Sequence, residues 1–114
     1  PRPGRAGRPA GQGRRGRDQG GAPGGRRVKK FLVLAMRTPN FDTAVLQPHK
    51  DFLQQLNQRG QLVESARFAD GTGGAYFIAA ENLDAAKELA FADPVHTTGS
   101  SDVTVYEWEP TTPN

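Results

Sequence analysis

The order of strand-like and helix-like stretches is the feature that most constrains how this chain folds. Short apolar or alternating runs predict four strands, at residues 31–36, 62–68, 75–80 and 102–109. Longer stretches with apolar residues at helical spacing predict two helices, one ending at Gln58 and one at residues 82–92. Pro48 fits poorly inside a helix, so the regular part of the first helix is expected to begin there, after a looser turn at 42–47.

The resulting order, β-α-β-β-α-β, is typical of a ferredoxin-like α+β fold, in which an antiparallel sheet carries both helices on one face. That arrangement leaves the other face of the sheet bare. In the runs at 31–36 and 76–80, however, the residues that point to either face of the sheet are apolar, so the second face also needs cover. A domain of about 84 residues builds only a small core. We therefore expect a homodimer whose sheets pack face to face.

The N-terminal segment differs sharply in composition from the rest. Residues 1–30 hold ten Lys and Arg against a single acid, Asp18, whereas residues 31–114 hold five against eleven Asp and Glu. Residues 1–27 contain no aromatic and no branched aliphatic side chain, so we expect a disordered, basic, Gly/Arg/Pro-rich tail. Val28 would be a native start if its codon were GTG. The expected organisation is this tail, one domain at 28–110 and a short C-terminal tail at 111–114.

Charge and composition exclude several classes of protein. The acidic domain argues against nucleic acid as a partner, except weakly through the tail, which lacks aromatic residues for base stacking. The absence of cysteine excludes disulfides, a thiolate nucleophile and Cys-based metal sites. The longest apolar run, 31–36, is far short of the ~20 residues that span a bilayer. The tail has no apolar core of a secretory signal. We expect a cytoplasmic protein without membrane association.

Two ionisable residues are predicted at the same end of this fold. The first helix runs opposite to the first strand and the second helix opposite to the third strand, so the start of helix one and the end of helix two meet there. His49 lies in the first turn of helix one, on the apolar stripe that includes Phe52 and Leu56. Asp93 lies at the end of helix two, on its sheet-facing side. Both side chains should point inward.

Electrostatics gives the pair of His49 and Asp93 two interpretations. A helix N-terminus disfavours the imidazolium and a helix C-terminus disfavours a carboxylate, so a mutual hydrogen bond would offset both effects. A histidine oriented by an aspartate is a general base or acid suited to neutral pH. The alternative is purely structural, because Asp-Pro is an ordinary helix stop and a single histidine on an apolar face is usually packed.

The sequence resembles the YCII-related family over roughly residues 28–109. The matching landmarks are the apolar strand KKFLVLAM, the histidine of helix one, the strand GQLVESA and the run AKELAFADP that ends helix two. The resemblance implies a dimeric α+β barrel fold and an active site made of a histidine and an aspartate, here His49 and Asp93. Some relatives eliminate halide from ring compounds. The chain departs from the family pattern at Ala66-Arg67, where many members have Gly-Pro, and at Val95, where an aromatic residue is frequent.

Other residues carry weaker signals. Arg37, at the end of strand one, is predicted to hold an anionic group of a ligand, and His96 could join it, although a surface position on the 95–101 segment is the alternative. His49, Asp93 and His96 could in principle bind a transition metal, but no close ligand pair lies on one element, so no metal is expected. Tyr106 and Trp108 share one face of strand four, which favours core or dimer interface over base stacking.

Two functional interpretations remain open. The first is a small dimeric enzyme that performs general acid–base chemistry, of elimination (lyase) or isomerase type, on a small organic substrate and needs no cofactor. His49 would move the proton and Asp93 would orient and stabilise it. The second is a non-catalytic dimer that binds a small ligand or an accessory partner and uses the pair as a polar anchor.

Overall fold

The computed structural model describes residues 28–111, which form one antiparallel sheet and its covering helices. The predicted 1–27 tail and most of the predicted 111–114 tail lie outside the described residues. The elements, in chain order, are β1 (Lys29–Arg37), a 3-10 turn (Thr43–Val45), α1 (Leu46–Gln58), β2 (Leu62–Arg67), β3 (Gly73–Ala80), α2 (Leu83–Phe91), α3 (Pro94–Thr97) and β4 (Ser101–Glu107).

The sheet has the strand order β2-β3-β1-β4, with every neighbouring pair antiparallel. This is the strand order of the ferredoxin-like arrangement, so the predicted α+β fold class is confirmed. β1 lies in the middle of the sheet because it is apolar at both parities. Its residues Phe31 and Val33 are fully buried beneath the helices, whereas Leu32 and Leu34, which alternate with them, are half-buried on the opposite face.

The core lies between the sheet and the two longer helices. Phe31 and Ile78 from the sheet pack against Leu56 of α1. The fully buried side chains of α2, Ala86 and Ala90, are small, so this helix can lie close to the strands. Leu83, Leu89 and Phe91 of the same helix are partly buried at the margin of the core. Both helices therefore cover the same face of the sheet.

Most strand and helix boundaries differ from the prediction by one or two residues, and two larger differences involve proline. α1 begins at Leu46 rather than at Pro48, which is the third residue of the helix, where a backbone N–H has no intrahelical acceptor to lose. The segment after Asp93 was expected as a loop, yet Pro94–Thr97 forms the short helix α3. Asp93 caps α3 and Pro94 occupies its first position, a combination that favours helix initiation.

Residues 28–111 leave the second face of the sheet bare. Leu32 pairs with Phe77 on one side and with Tyr106 on the other, so the three side chains form a row across this face. Tyr106 is 51% exposed and Trp108 is 42% exposed. Phe77 and Trp108 meet edge to face, with ring centroids 4.9 Å apart. Core burial of Tyr106 and Trp108 is therefore wrong for the single chain, and the interface interpretation stays a prediction.

Candidate active site

A cavity of about 350 Å³ opens at the end of the domain where β1 ends and α1 begins. The β2–β3 hairpin and α3 complete its border. Its walls are largely apolar and include Ala35, Phe41, Leu46, Leu53, Ala75 and Val95. Gly73 and Gly74 also line it. A side chain at either glycine would collide with the backbone of a neighbouring strand, so the close strand pairing at this end depends on them.

Asp93 is the polar centre behind this cavity. It is fully buried, and the structure gives its carboxylate three hydrogen bonds. Its Oδ1 lies 2.8 Å from His49 Nδ1 and accepts the backbone N–H of Val95 at 3.0 Å. Its Oδ2 accepts the Tyr76 hydroxyl at 3.0 Å. A buried carboxylate is tolerated only when donors replace its water shell, and these three donors do so.

The position of Asp93 differs from the one expected. Sequence analysis placed it at the end of α2, where the helix dipole opposes a carboxylate. In the structure Ala92 is the C-cap of α2, and Asp93 is already the N-cap of α3. The Val95 N–H, at the start of α3, therefore points at the carboxylate and stabilises its charge. The proposed conflict between Asp93 and its helix is wrong.

His49 connects Asp93 to the cavity. The residue lies in the first turn of α1, lines the cavity, and has a side chain that is 22% exposed. An ionised carboxylate only accepts hydrogen bonds, so the contact with Asp93 requires the proton on Nδ1. Nε2 makes no hydrogen bond to any residue in the part of the chain that the structure describes. The geometry thus leaves Nε2 as the atom of His49 that is free to exchange a proton with a ligand.

Tyr76 is the member of the site that sequence analysis missed. Its side chain is buried, lines the cavity and lies beside the His49 ring, with centroids 6.2 Å apart. Burial raises the pKa of the Tyr76 hydroxyl well above its usual range, and the charge of Asp93 raises it further. The signal was available, because Tyr76 shares the helix-facing parity of Ile78 on β3, and a buried hydroxyl there needs an acceptor.

The two predicted ligand-binding residues have different outcomes. Arg37 lines the cavity, and its guanidinium lies 4.0 Å from the centre of the Phe41 ring. His96 is exposed on α3 and stacks on Phe91, with ring centroids 4.6 Å apart. It is not among the residues that line the cavity, so the structure gives its grouping with Arg37 no support and agrees with the alternative, a surface position. On the short helix α3, His96 is exposed whereas the neighbouring Val95 is buried.

Residues 28–111 contain neither a cluster of metal ligands nor a membrane-spanning helix. No group of three or more His, Asp or Glu side chains there is arranged to hold a metal ion. In the same range, no helix is long and apolar enough to cross a bilayer.

Comparison with known proteins identifies the family of this chain. Residues 30–109 match the YCII-related domain. An uncharacterized protein of Bacillus subtilis (strain 168), YjpA, is 40% identical over 79 residues, which covers 69% of this chain and 93% of YjpA. The predicted resemblance is confirmed by both findings.

The fold of this chain is also found in a solved structure. The 5-chloro-2-hydroxyhydroquinone dehydrochlorinase TftG of Burkholderia phenoliruptrix AC1100, in complex with 2,5-dihydroxybenzoquinone, superposes with a TM-score of 0.57 at 18% identity, covering 70% of this chain and 93% of TftG. The hydroxynitrile lyase of Passiflora edulis gives a TM-score of 0.44 at 12% identity, covering 77% of this chain and 99% of the lyase. At such identities the likeness to TftG shows a shared fold, which is of the dimeric α+β barrel class.

Proposed function

The chain belongs to the YCII-related family, and from that premise we propose that it is a small acid–base enzyme in which His49 moves a proton on a ligand held in the cavity. Asp93 orients the imidazole and stabilises it when it is charged. The reaction is of elimination (lyase) or isomerase type, the substrate is a small organic molecule, and the proposed chemistry invokes no cofactor. The cytoplasmic location stays a prediction.

One observation carries this proposal: the hydrogen-bonded chain from Tyr76 through Asp93 to His49, which ends at a cavity. A histidine packed only for structural reasons needs no carboxylate behind it and no access to a ligand. Here the Asp93 carboxylate is fully buried at a cost in desolvation. Of the three side chains, only that of His49 remains partly accessible. An accessible histidine base oriented by a buried carboxylate is typical of catalytic histidines.

The chemical step follows from the protonation states that this geometry favours. Nε2 of His49 accepts a proton from an acidic C–H or O–H of the substrate, and the freed electron pair forms a new double bond as a leaving group departs or as the double bond shifts. The imidazolium is stabilised by the Asp93 carboxylate while it holds the proton. Tyr76, whose pKa is raised, keeps its own proton and serves as a fixed donor to Asp93.

A ring compound is the substrate that we favour. The cavity volume, about 350 Å³, and its apolar walls suit a single small ring. The structural neighbour TftG is a dehydrochlorinase, crystallised with a dihydroxybenzoquinone. Loss of a halide from a hydroxylated ring needs only a base near the ring, which His49 supplies in this proposal.

We also propose that the active form is a homodimer joined through the bare sheet face. The row Leu32, Phe77 and Tyr106, together with Trp108, forms a largely apolar surface. Within residues 28–111, the side chain found over it is that of Lys30, whose Nζ lies 4.9 Å from the centre of the Phe77 ring and 5.6 Å from that of Trp108. A second copy supplies an identical sheet, so a two-fold axis through this face would bury the same residues of both chains.

Turnover by matched histidine variants tests the proposed function. The protein is incubated with 5-chloro-2-hydroxyhydroquinone and related halogenated or hydroxylated rings, and both chloride release and solvent-deuterium exchange are followed. His49→Ala is expected to lower the rate of any detected reaction at least about 100-fold. His96→Ala removes the only other histidine, exposed on α3, and should leave the rate unchanged. Undiminished turnover by folded His49→Ala would refute the proposal, and ligand binding without turnover would favour the non-catalytic dimer.

A further inference from the structure

Three cationic side chains surround the same cavity. Arg37 ends β1, Lys50 follows His49 in α1, and Arg67 ends β2. All three line the cavity and all three are exposed to solvent. Of these three, the sequence analysis assigned a ligand-binding role only to Arg37. We refer to Arg37, Lys50 and Arg67 together as the cationic rim.

The cationic rim is unusual in a domain with this charge. Residues 31–114 contain only five Lys and Arg against eleven Asp and Glu, yet three of those five line one cavity. No Asp or Glu is among the residues that line it. Within residues 28–111 no carboxylate forms an ion pair with any of the three rim cations. The positive charge is therefore concentrated at the cavity and is not neutralised by this part of the chain.

Acidic residues close to the rim in sequence are engaged elsewhere. Asp51, next to Lys50, accepts a hydrogen bond from the Gln47 side chain at 2.9 Å. Asp70, in the β2–β3 hairpin, accepts both the hydroxyl and the backbone N–H of Thr72, at 2.7 and 3.0 Å, and these bonds lower the pKa of Asp70. Local hydrogen bonds thus hold these carboxylates in their own turns, and the rim cations stay available to a ligand.

We propose that the cationic rim is an anion-binding subsite, and that the ligand of this cavity is a small ring that carries a carboxylate or a comparably acidic group. The apolar walls take the ring, and the rim takes the anionic group. Arg37 is oriented for this role by its stacking on Phe41. This inference rests on the proposed function for one point only, that the reacting edge of the ring faces His49.

Paired probes that differ only in charge test the inference. Benzoate and its neutral analogue benzamide are titrated into the protein, and binding is followed by the backbone amide resonances of cavity residues. At low salt benzoate should bind about tenfold more tightly or better, since three exposed cations each contribute modestly. The advantage should shrink as salt approaches physiological strength, where the Debye length is about 8 Å.

Single substitutions assign the effect to the rim. Arg37→Gln, Lys50→Gln and Arg67→Gln should each weaken benzoate binding about two- to fivefold and leave benzamide binding unchanged. Arg59→Gln and Lys87→Gln are the matched controls, because they remove the two cations of residues 31–114 that do not line the cavity. Each control should change benzoate affinity less than about twofold.

Three results would overturn the inference: equal affinity for the two probes, no binding of benzoate at tens of millimolar, or equal effects of rim and control substitutions. The same titration on His49→Ala separates this inference from the proposed function. Benzoate selectivity should survive that substitution. If selectivity is absent while His49→Ala abolishes turnover, only the anion subsite is wrong. If selectivity is present while turnover survives, only the role of His49 is wrong.

Discussion

At the scale of single residues, the site is defined by how one buried carboxylate is satisfied. Asp93 receives its donors from three different elements: His49 from α1, Tyr76 from β3 and Val95 from α3. Each donor fixes a different lone pair, so the carboxylate has a single orientation. The hydrogen bond from Nδ1 to Asp93 in turn fixes the orientation of the His49 ring. Nε2 therefore has a defined position relative to a ligand in the cavity.

Tyr76 is expected to contribute to the free energy of unfolding. Tyr76→Phe removes the donor to Asp93 Oδ2 and leaves a buried carboxylate oxygen unpaired, so we expect a loss of about 1–3 kcal/mol in the free energy of unfolding. Tyr106→Phe is the control, because it makes the same change at the only other tyrosine, which is half exposed. Urea denaturation at neutral pH measures both. Equal stability of the two variants would contradict this role for Tyr76.

The pH dependence of that difference has a definite sign. The pKa of Tyr76 is raised in the native state above its ordinary value of 10.0, so the unfolded state loses its tyrosine proton first as pH rises. Above about pH 10 the unfolded state then binds fewer protons than the native state, and native stability falls. The stabilising effect of Tyr76 is therefore complete below pH 10, and the gap between wild type and Tyr76→Phe should narrow above it.

At the scale of elements, the sequence predicts what period and capping residues specify. The strands and the two longer helices follow from such local signals. At the start of α2, for example, Asn82 is the N-cap, and its side chain accepts the N–H of Ala85. Local signals also place His49 and Asp93 at the same end. They do not show which turn follows Asp93. Since α3 comprises four residues, it has no apolar period to detect, and the sequence predicted a loop in its place.

The junction between α2 and α3 gives a prediction at this scale. Asp93→Asn keeps an oxygen that can cap α3 and accept the Val95 N–H, so the protein should fold with a loss of about 1–2 kcal/mol. Asp93→Ala removes the cap and leaves the donors of His49 and Tyr76 unsatisfied, so its loss should reach about 3 kcal/mol or more. Chemical denaturation compares the two variants. Equal unfolding midpoints would show that the cap has no structural importance.

At the scale of the whole molecule, one face of the sheet packs into the core, and residues 28–111 leave the other face bare. The sequence predicted both faces of the sheet as apolar, because residues 31–36 of β1 are apolar at successive positions. It predicted a second copy as the cover of the second face, and that homodimer stays a prediction. The cationic rim unites residues from β1, α1 and β2, far apart in the chain, and only the folded structure brings them to one cavity.

The homodimer is tested by a charge placed on the bare sheet face. Leu32→Glu puts a carboxylate in the middle of the row formed with Phe77 and Tyr106, and we expect it to convert the dimer to a monomer in analytical ultracentrifugation. Gln54→Glu adds the same charge at an exposed position of α1 and should leave the mass unchanged. Emission from the single tryptophan, Trp108, should shift to longer wavelength on dissociation. A wild-type protein that sediments as a monomer at all concentrations would refute the dimer.

The central claim is that Asp93 holds His49 with its proton on Nδ1 and leaves Nε2 free as the base. Long-range ¹H–¹⁵N correlation spectra report the tautomer directly, and His96→Gln assigns the signals because the chain has only two histidines. At a pH high enough to leave the ring neutral, His49 should show a protonated Nδ1 and an unprotonated Nε2. A protonated Nε2 would contradict the claim, because Nδ1 would then have no proton to donate to Asp93.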